Sequence, residues 1–141
     1  MRRGLMALAF LAAPLAGLAD PAVLQAVNAE RAAKGRAALV YDTRLEAAAR
    51  AHGQDMAANG FFDHQGSDGS DIGVRLARAG YQGCFGAENI AMGHRSLDAV
   101  MAGWMGSRGH RANILHRRAQ AGGLAQVAGN RWVMVLAAPC S

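Results

Sequence analysis

Two histidines and one glutamate stand in three separate strings of this chain. His64 closes Phe61-Phe62-Asp63-His64, Glu88 lies in Ala87-Glu88-Asn89-Ile90-Ala91, and His110 falls within the stretch from Trp104 to Leu115. Imidazole and carboxylate are the usual protein ligands of zinc, and three such groups with an open fourth position mark a catalytic rather than a structural zinc site. The intervals match no local zinc motif, so this chemistry depends on a fold that gathers the three. Without a metal the same residues have ordinary duties, His64 and His110 capping a loop and a helix and Glu88 accepting backbone hydrogen bonds.

The elements that must position them follow from periodicity and punctuation. Asp20-Pro21 followed by Leu24, Val27 and Arg31 predicts a first helix ending at Gly35. Thr43 and Glu46 have capping-box spacing, and Leu45, Ala49, His52 and Met56 recur on one face of a second helix that ends at Asn59-Gly60. His52 on that apolar face reads as a buried, hydrogen-bonded structural histidine. Residues 61–70 form a loop that delivers His64, and a shorter helix from Asp71 to Ala79 turns Ile72 and Leu76 inward and stops at Gly80. Tyr81 to Gly86 reads as irregular, and Glu88 to Met92 as a short buried strand.

Ser96 caps a helix carrying Leu97, Val100, Met101 and Trp104, which stops between Gly106 and Gly109, directly before His110. Gly122 to Val127 and Trp132 to Ala137 form a hairpin across a two-residue Gly129-Asn130 turn. The expected fold class is α+β, with helices around a small antiparallel sheet. Trp104 and Trp132 are assigned to the core or groove walls, while His94 and His116 read as exposed and without a clear partner.

The first 19 residues read as a cleaved secretory leader: Arg2 and Arg3, an apolar run from Leu5 to Leu18, and small residues before Asp20. Residues 20–141 then form a single domain with no transmembrane span in the mature chain, exported to the periplasm or the medium. The full chain carries a formal charge of +5, and loss of the leader's two arginines lowers it to +3. That charge favours anionic surfaces but is no case for nucleic acid; Arg108, Arg111, Arg117 and Arg118 read as a solvated face. Cys84 and Cys140 are the two cysteines. In an oxidising compartment a bridge between them is preferred to a metal role or two free thiols, contributing roughly 4 kcal/mol on the chain-entropy model.

The strings in this order resemble the CAP superfamily of cysteine-rich secretory proteins, venom allergens and pathogenesis-related proteins, in its short bacterial SCP-like form. The resemblance runs from about Val23 to Leu136 and includes Asn28 with Arg31, Leu45 through Met56, Gly80-Tyr81, and Trp104 through Leu115. It implies an α-β-α sandwich and a central cleft in which two histidines, here His64 and His110, bind a divalent metal, often zinc, near an acid matched by Glu88. Ala87 replaces the usual glycine before that acid. Ser107 stands where larger relatives often have a second glutamate, and Asp63, Asp68 and Asp71 are the acids left to replace it. Asn89 and Asn113 are assigned to hydrogen-bonding of loop backbone around the cleft.

Three functions compete. The preferred one is a secreted binding module whose cleft holds a divalent ion and a lipid, cell-wall or protein ligand. The alternatives are a zinc-dependent, peptidase-like hydrolase with Glu88 assisting proton transfer, and a scaffold whose cleft has no function.

Overall fold

The computed structural model describes residues 21–141, so the leader and its cleavage point lie outside the described residues. The elements run α1 (Pro21–Ala33), β1 (Val40–Tyr41), α2 (Thr43–Asn59), α3 (Ile72–Arg78), β2 (Gly83–Met92), α4 (Leu97–Met105), α5 (Arg108–Ile114), β3 (Ala121–Val127) and β4 (Arg131–Pro139). The strands pair in the order β1-β3-β4-β2. Both long ladders are antiparallel, but β1 joins β3 in parallel through Val40 and Tyr41. The sheet is therefore mixed, not purely antiparallel as expected, and the class remains α+β.

Strand β4 explains the layering. Its Trp132, Met134 and Leu136 enter one core with Val27, Val100, Trp104 and Ile114. The alternate residues Val133, Val135 and Ala137 enter a second core with Leu45, Ala49, Met56 and Leu76. A strand buried on both faces needs a continuous apolar run, and Trp132 to Ala138 provides one. Helices α1, α4 and α5 thus cover one face of the sheet, and α2 and α3 the other.

Helix α2 lies tight on the sheet because two glycines permit it. On the helix, a methyl group at Gly53 would stand 3.0 Å from the Val127 side chain. On the strand, one at Gly123 would strike the Glu46 amide nitrogen and stand 2.7 Å from the Leu45 carbonyl carbon. Gly123→Ala should therefore destabilise the protein by about 3 kcal/mol, since backbone on both sides must move. Urea unfolding tests this, and a loss below about 1 kcal/mol would show that the helix can lift without penalty.

Local chemistry departs from expectation in several places. Asp42, not Thr43, caps α2 by accepting from the Arg44 amide, and Glu46 instead accepts from the Tyr41 hydroxyl and Arg50. The α2 helix does end at left-handed Gly60, and Asp71 and Ser96 cap α3 and α4. The stretch read as irregular is ordered from Gly83 onward, because β4 offers a full ladder to pair with. The hairpin loop has three residues, 128–130, with Gly129 and Asn130 at positive φ. His110 lies inside helix α5, which Gly106 and Gly109 concealed in the sequence. Cys84 and Cys140 are bridged, with Cα atoms 4.8 Å apart, fastening the start of β2 to the chain beyond β4.

Candidate functional site

Glu88 is the centre of the site. Along β2 it shares a face with Ile90, which belongs to the α2–α3 core, and its side chain is only 3% exposed. Its Oε1 lies 2.9 Å from Nδ1 of His64, and its Oε2 accepts from Nη2 of Arg75 at 2.9 Å. Burying a carboxylate requires this kind of pairing. Arg75 also donates to the carbonyls of Ser70 and His64, at 2.8 and 2.9 Å. One buried guanidinium therefore ties the 61–70 loop to β2 and holds His64 by its backbone.

His52 supports the same loop from below. It is 1% exposed, and its Nε2 donates to the Asp63 carbonyl at 2.7 Å, as its place on the apolar face of α2 predicts. That nitrogen also lies 3.8 Å from Glu88 Oε1. His64 itself has a side chain 58% exposed. With Nδ1 on Glu88, its Nε2 is the nitrogen left for an external partner.

Asn89 points to the opposite face and binds α5 to the strand. Its amide donates to the His110 carbonyl at 3.0 Å, and its oxygen accepts from Asn113 at 2.9 Å. Asn113 also donates to the Glu88 carbonyl at 3.3 Å. The His110 imidazole is half-buried; burial chiefly, and the charge of nearby His64 secondarily, lower its pKa. A neutral ring is the form that can bind a metal or accept a proton.

A groove of about 670 Å³ runs past His64 and Glu88, with Arg75, Phe85, Asn113 and His116 also among its walls, whereas His110 does not line it. His116 has a partner after all: it stacks on Phe85 with ring centroids 4.2 Å apart, and its Nδ1 accepts from the Arg118 amide. His94 is half-buried, and its carbonyl accepts from the Trp132 indole. Trp104 and Trp132 are buried in the core. Of the four arginines read as a solvated face, all are exposed, although Arg118 reaches back to the Cys84 carbonyl.

The donor set bears directly on metal binding. Both Glu88 oxygens are taken, one by His64 and one by Arg75, so the glutamate fits behind a liganding histidine better than on the ion. Among the described residues, no three His, Cys, Asp or Glu side chains form a group that could hold a metal. The three acids considered as replacements serve local structure: Asp63 accepts from the Gln65 amide, Asp68 from Ser70 and Arg78, and Asp71 caps α3. Ser107 begins α5 without a side-chain cap bond and does not line the groove. A three-ligand set that includes Glu88 does not fit, since both of its oxygens already have partners.

Arg75 is the functional residue that sequence reasoning missed. Its signal was present: Ile72, Arg75, Leu76 and Ala79 share the inward face of α3, and an arginine there needs a buried acid.

The sandwich and its site define a class. The sequence pattern of the cysteine-rich secretory protein family, CAP, matches residues 24–136, and the chain belongs to that family. Bacillus subtilis (strain 168) YkwD is 37% identical over 94 residues, covering 67% of this chain and 37% of its own. The membrane protein YlbC of the same organism is 30% identical over 94 residues, 27% of its length. This chain thus spans well under half of the curated relatives it matches. An extracellular SCP-domain protein of Bacillus anthracis superposes with a TM-score of 0.79 at 26% identity, covering 84% of this chain and 40% of that one. An outer surface protein of Borrelia burgdorferi gives 0.77 at 17% identity, covering 85% and 92%, which speaks for the fold. Among the described residues, no helix is long and apolar enough to cross a membrane.

Proposed function

We propose that this is an exported CAP domain acting as a binding module, in which His64 and His110 hold a divalent cation, zinc foremost, beside a groove for a small or cell-envelope ligand. The observation that supports it is the Arg75–Glu88–His64 chain, which engages Nδ1 of an exposed imidazole and leaves Nε2 outward. A bound cation would supply a positive anchor for a ligand oxygen. Glu88 orients His64, and Asn89 and Asn113 fix the backbone that carries His110. Export accords with the extracellular and outer-surface solved structures that share the fold.

The hydrolase reading is weaker. A general base must come within reach of the proton it takes, whereas the Glu88 side chain is 3% exposed with a partner on each oxygen, and Asp63, Asp68 and Asp71 hold backbone.

Calorimetric titration with zinc tests the proposal. It is run first at about pH 7.5, above the ordinary histidine pKa of about 6.5. Binding in the micromolar range is expected, weaker at least about tenfold at about pH 5.5, where protons compete. The lowered pKa of His110 keeps that ring neutral further into acid, so its own share of the proton competition falls below the ordinary histidine midpoint. His64→Ala/His110→Ala should abolish binding. Equal binding by this variant would end the metal assignment.

A further inference from the structure

Strand β2 lies at the edge of the sheet, with β4 as its neighbour on one side and no strand on the other among the described residues. Backbone groups along a strand alternate between its two sides. The Val40 and Asp42 amides donate to the Gln120 and Gly122 carbonyls, so Gly122 faces β1 and Ala121 faces β4. Carried through the register of Ala121 with Ala137 and of Leu136 with Ala87, this turns Ala87, Asn89 and Ala91 toward β4 and Gly86, Glu88 and Ile90 outward. The outward carbonyls of Glu88 and Ile90 agree, since they accept from the Asn113 side chain of α5 and the Trp104 indole of α4.

The outer side is therefore covered on either hand of one residue. Arg118 donates to the Cys84 carbonyl, and Asn113 and Trp104 close the edge from Glu88 onward. Gly86 lies between them, exposed, and among the described residues neither its N–H nor its C=O has a partner off the ladder. Glycine has no side chain, so its exposure is exposure of backbone. It stands on the wall of the 670 Å³ groove, together with Asp71, Ile72, Asn113 and His116. A bare edge residue is a template for another chain, because one residue of an antiparallel strand meets its N–H and its C=O at once. The bulge between Gly83 and Phe85 on one side and the Asn113 bond on the other keep such pairing short.

The charges of the wall select among peptides. Arg75 and Glu88 offset one another. Asp63 and Asp71 are exposed and accept only from backbone amides, those of Gln65 and Val74, so no cation offsets either carboxylate. Arg118 stands at the Cys84 end, over the Phe85 ring. A side chain that complements the two aspartates is basic.

We propose that the open edge at Gly86 receives an extended peptide segment of a partner protein, one that carries lysine or arginine, pairs as a short added strand and sets its basic side chain toward Asp63 and Asp71. This deepens the binding-module reading and rests on its groove alone, not on the cation.

The test is a two-dimensional amide NMR titration of the protein, in chelator, with a short blocked peptide of alternating valine and lysine. Saturable shifts are expected at Gly86 and Glu88, with a dissociation constant of about 0.1–1 mM for so small a contact. Two further peptides, N-methylated at alternate amides in the two possible phases, should part company: one loses at least about tenfold and the other binds as before, because only one set of amides faces the edge. Asp63→Asn/Asp71→Asn keeps both backbone acceptors and should weaken the lysine peptide at least about threefold. No saturable shift would mean that the edge is only hydrated, and equal loss or equal binding in both methylated phases would exclude strand pairing. Equal or tighter binding of the matching glutamate peptide would remove the charge argument, and shifts at Gly86 that follow protein concentration instead would give the edge to a second copy of this chain. Each of these overturns the proposal. Because chelator is present throughout, none of them bears on the zinc titration, and loss of zinc binding leaves the peptide result standing.

Discussion

Arg75→Met should lower the unfolding free energy by about 4 kcal/mol. The substitution preserves most of the packing volume but leaves Glu88 buried beside only a half-exposed histidine, and removing one partner of a buried ion pair typically costs about 3–5 kcal/mol. It also strands the His64 carbonyl and leaves that of Ser70 with only its bond from the Gly66 amide. Arg75→Met/Glu88→Gln should recover a large part of the loss, with a coupling of about 2 kcal/mol in the cycle. Urea unfolding of the four proteins measures it. Strictly additive losses would mean that the guanidinium acts on the loop alone and leaves Glu88 indifferent.

Arg31→Ala should do comparable damage with no carboxylate involved. This guanidinium is 1% exposed and donates to four carbonyls, those of Ala37, Ile114, His116 and Ala119. Ile114 closes α5, where the helix dipole favours a cation. Truncation leaves several buried acceptors unpaired and opens a cavity at the junction of α1, the 34–37 turn and the chain after α5. A loss of about 4 kcal/mol follows from these combined effects. Arg31→Lys should recover less than half, because one ammonium group cannot span acceptors arranged around a planar fork. Chemical denaturation of both variants decides it, and a lysine protein as stable as the parent would reduce the role to charge alone.

How much of this was legible depended on how far each signal reached. His64, Glu88 and His110 were found because their neighbours form ordered strings, and the helices of Leu45–Met56 and Leu97–Trp104 because their apolar residues keep a steady period. Arg75 was passed over because arginine in a short helix with a second arginine, Arg78, one turn on normally faces water. Strand β1 has two residues, with Val40 70% exposed, which is too short to carry any alternation. Helix α5 was hidden by glycines that ordinarily end helices, and its own cap residue makes no side-chain bond. The reach of Glu88 to Arg75, rather than to water or metal, is a tertiary fact with no local trace. So is the pairing of β2 along its full length, since among the described residues only β4 supplies its ladder.

That last dependence bears on the order of events in folding. Strand β4 is the last of the described strands, yet among the described residues it is the only ladder partner of the strand that carries Glu88 and Asn89. A ribosome releasing this chain from its beginning produces α2, the 61–70 loop, α3 and Glu88 well before residues 131–139 exist. Until then β2 has no partner strand among the described residues, and the layers that carry His64 and His110 are not held together. The groove is thus assembled only once residues 131–139 have been made, and a product that stops before β4 carries every residue of the site without the site.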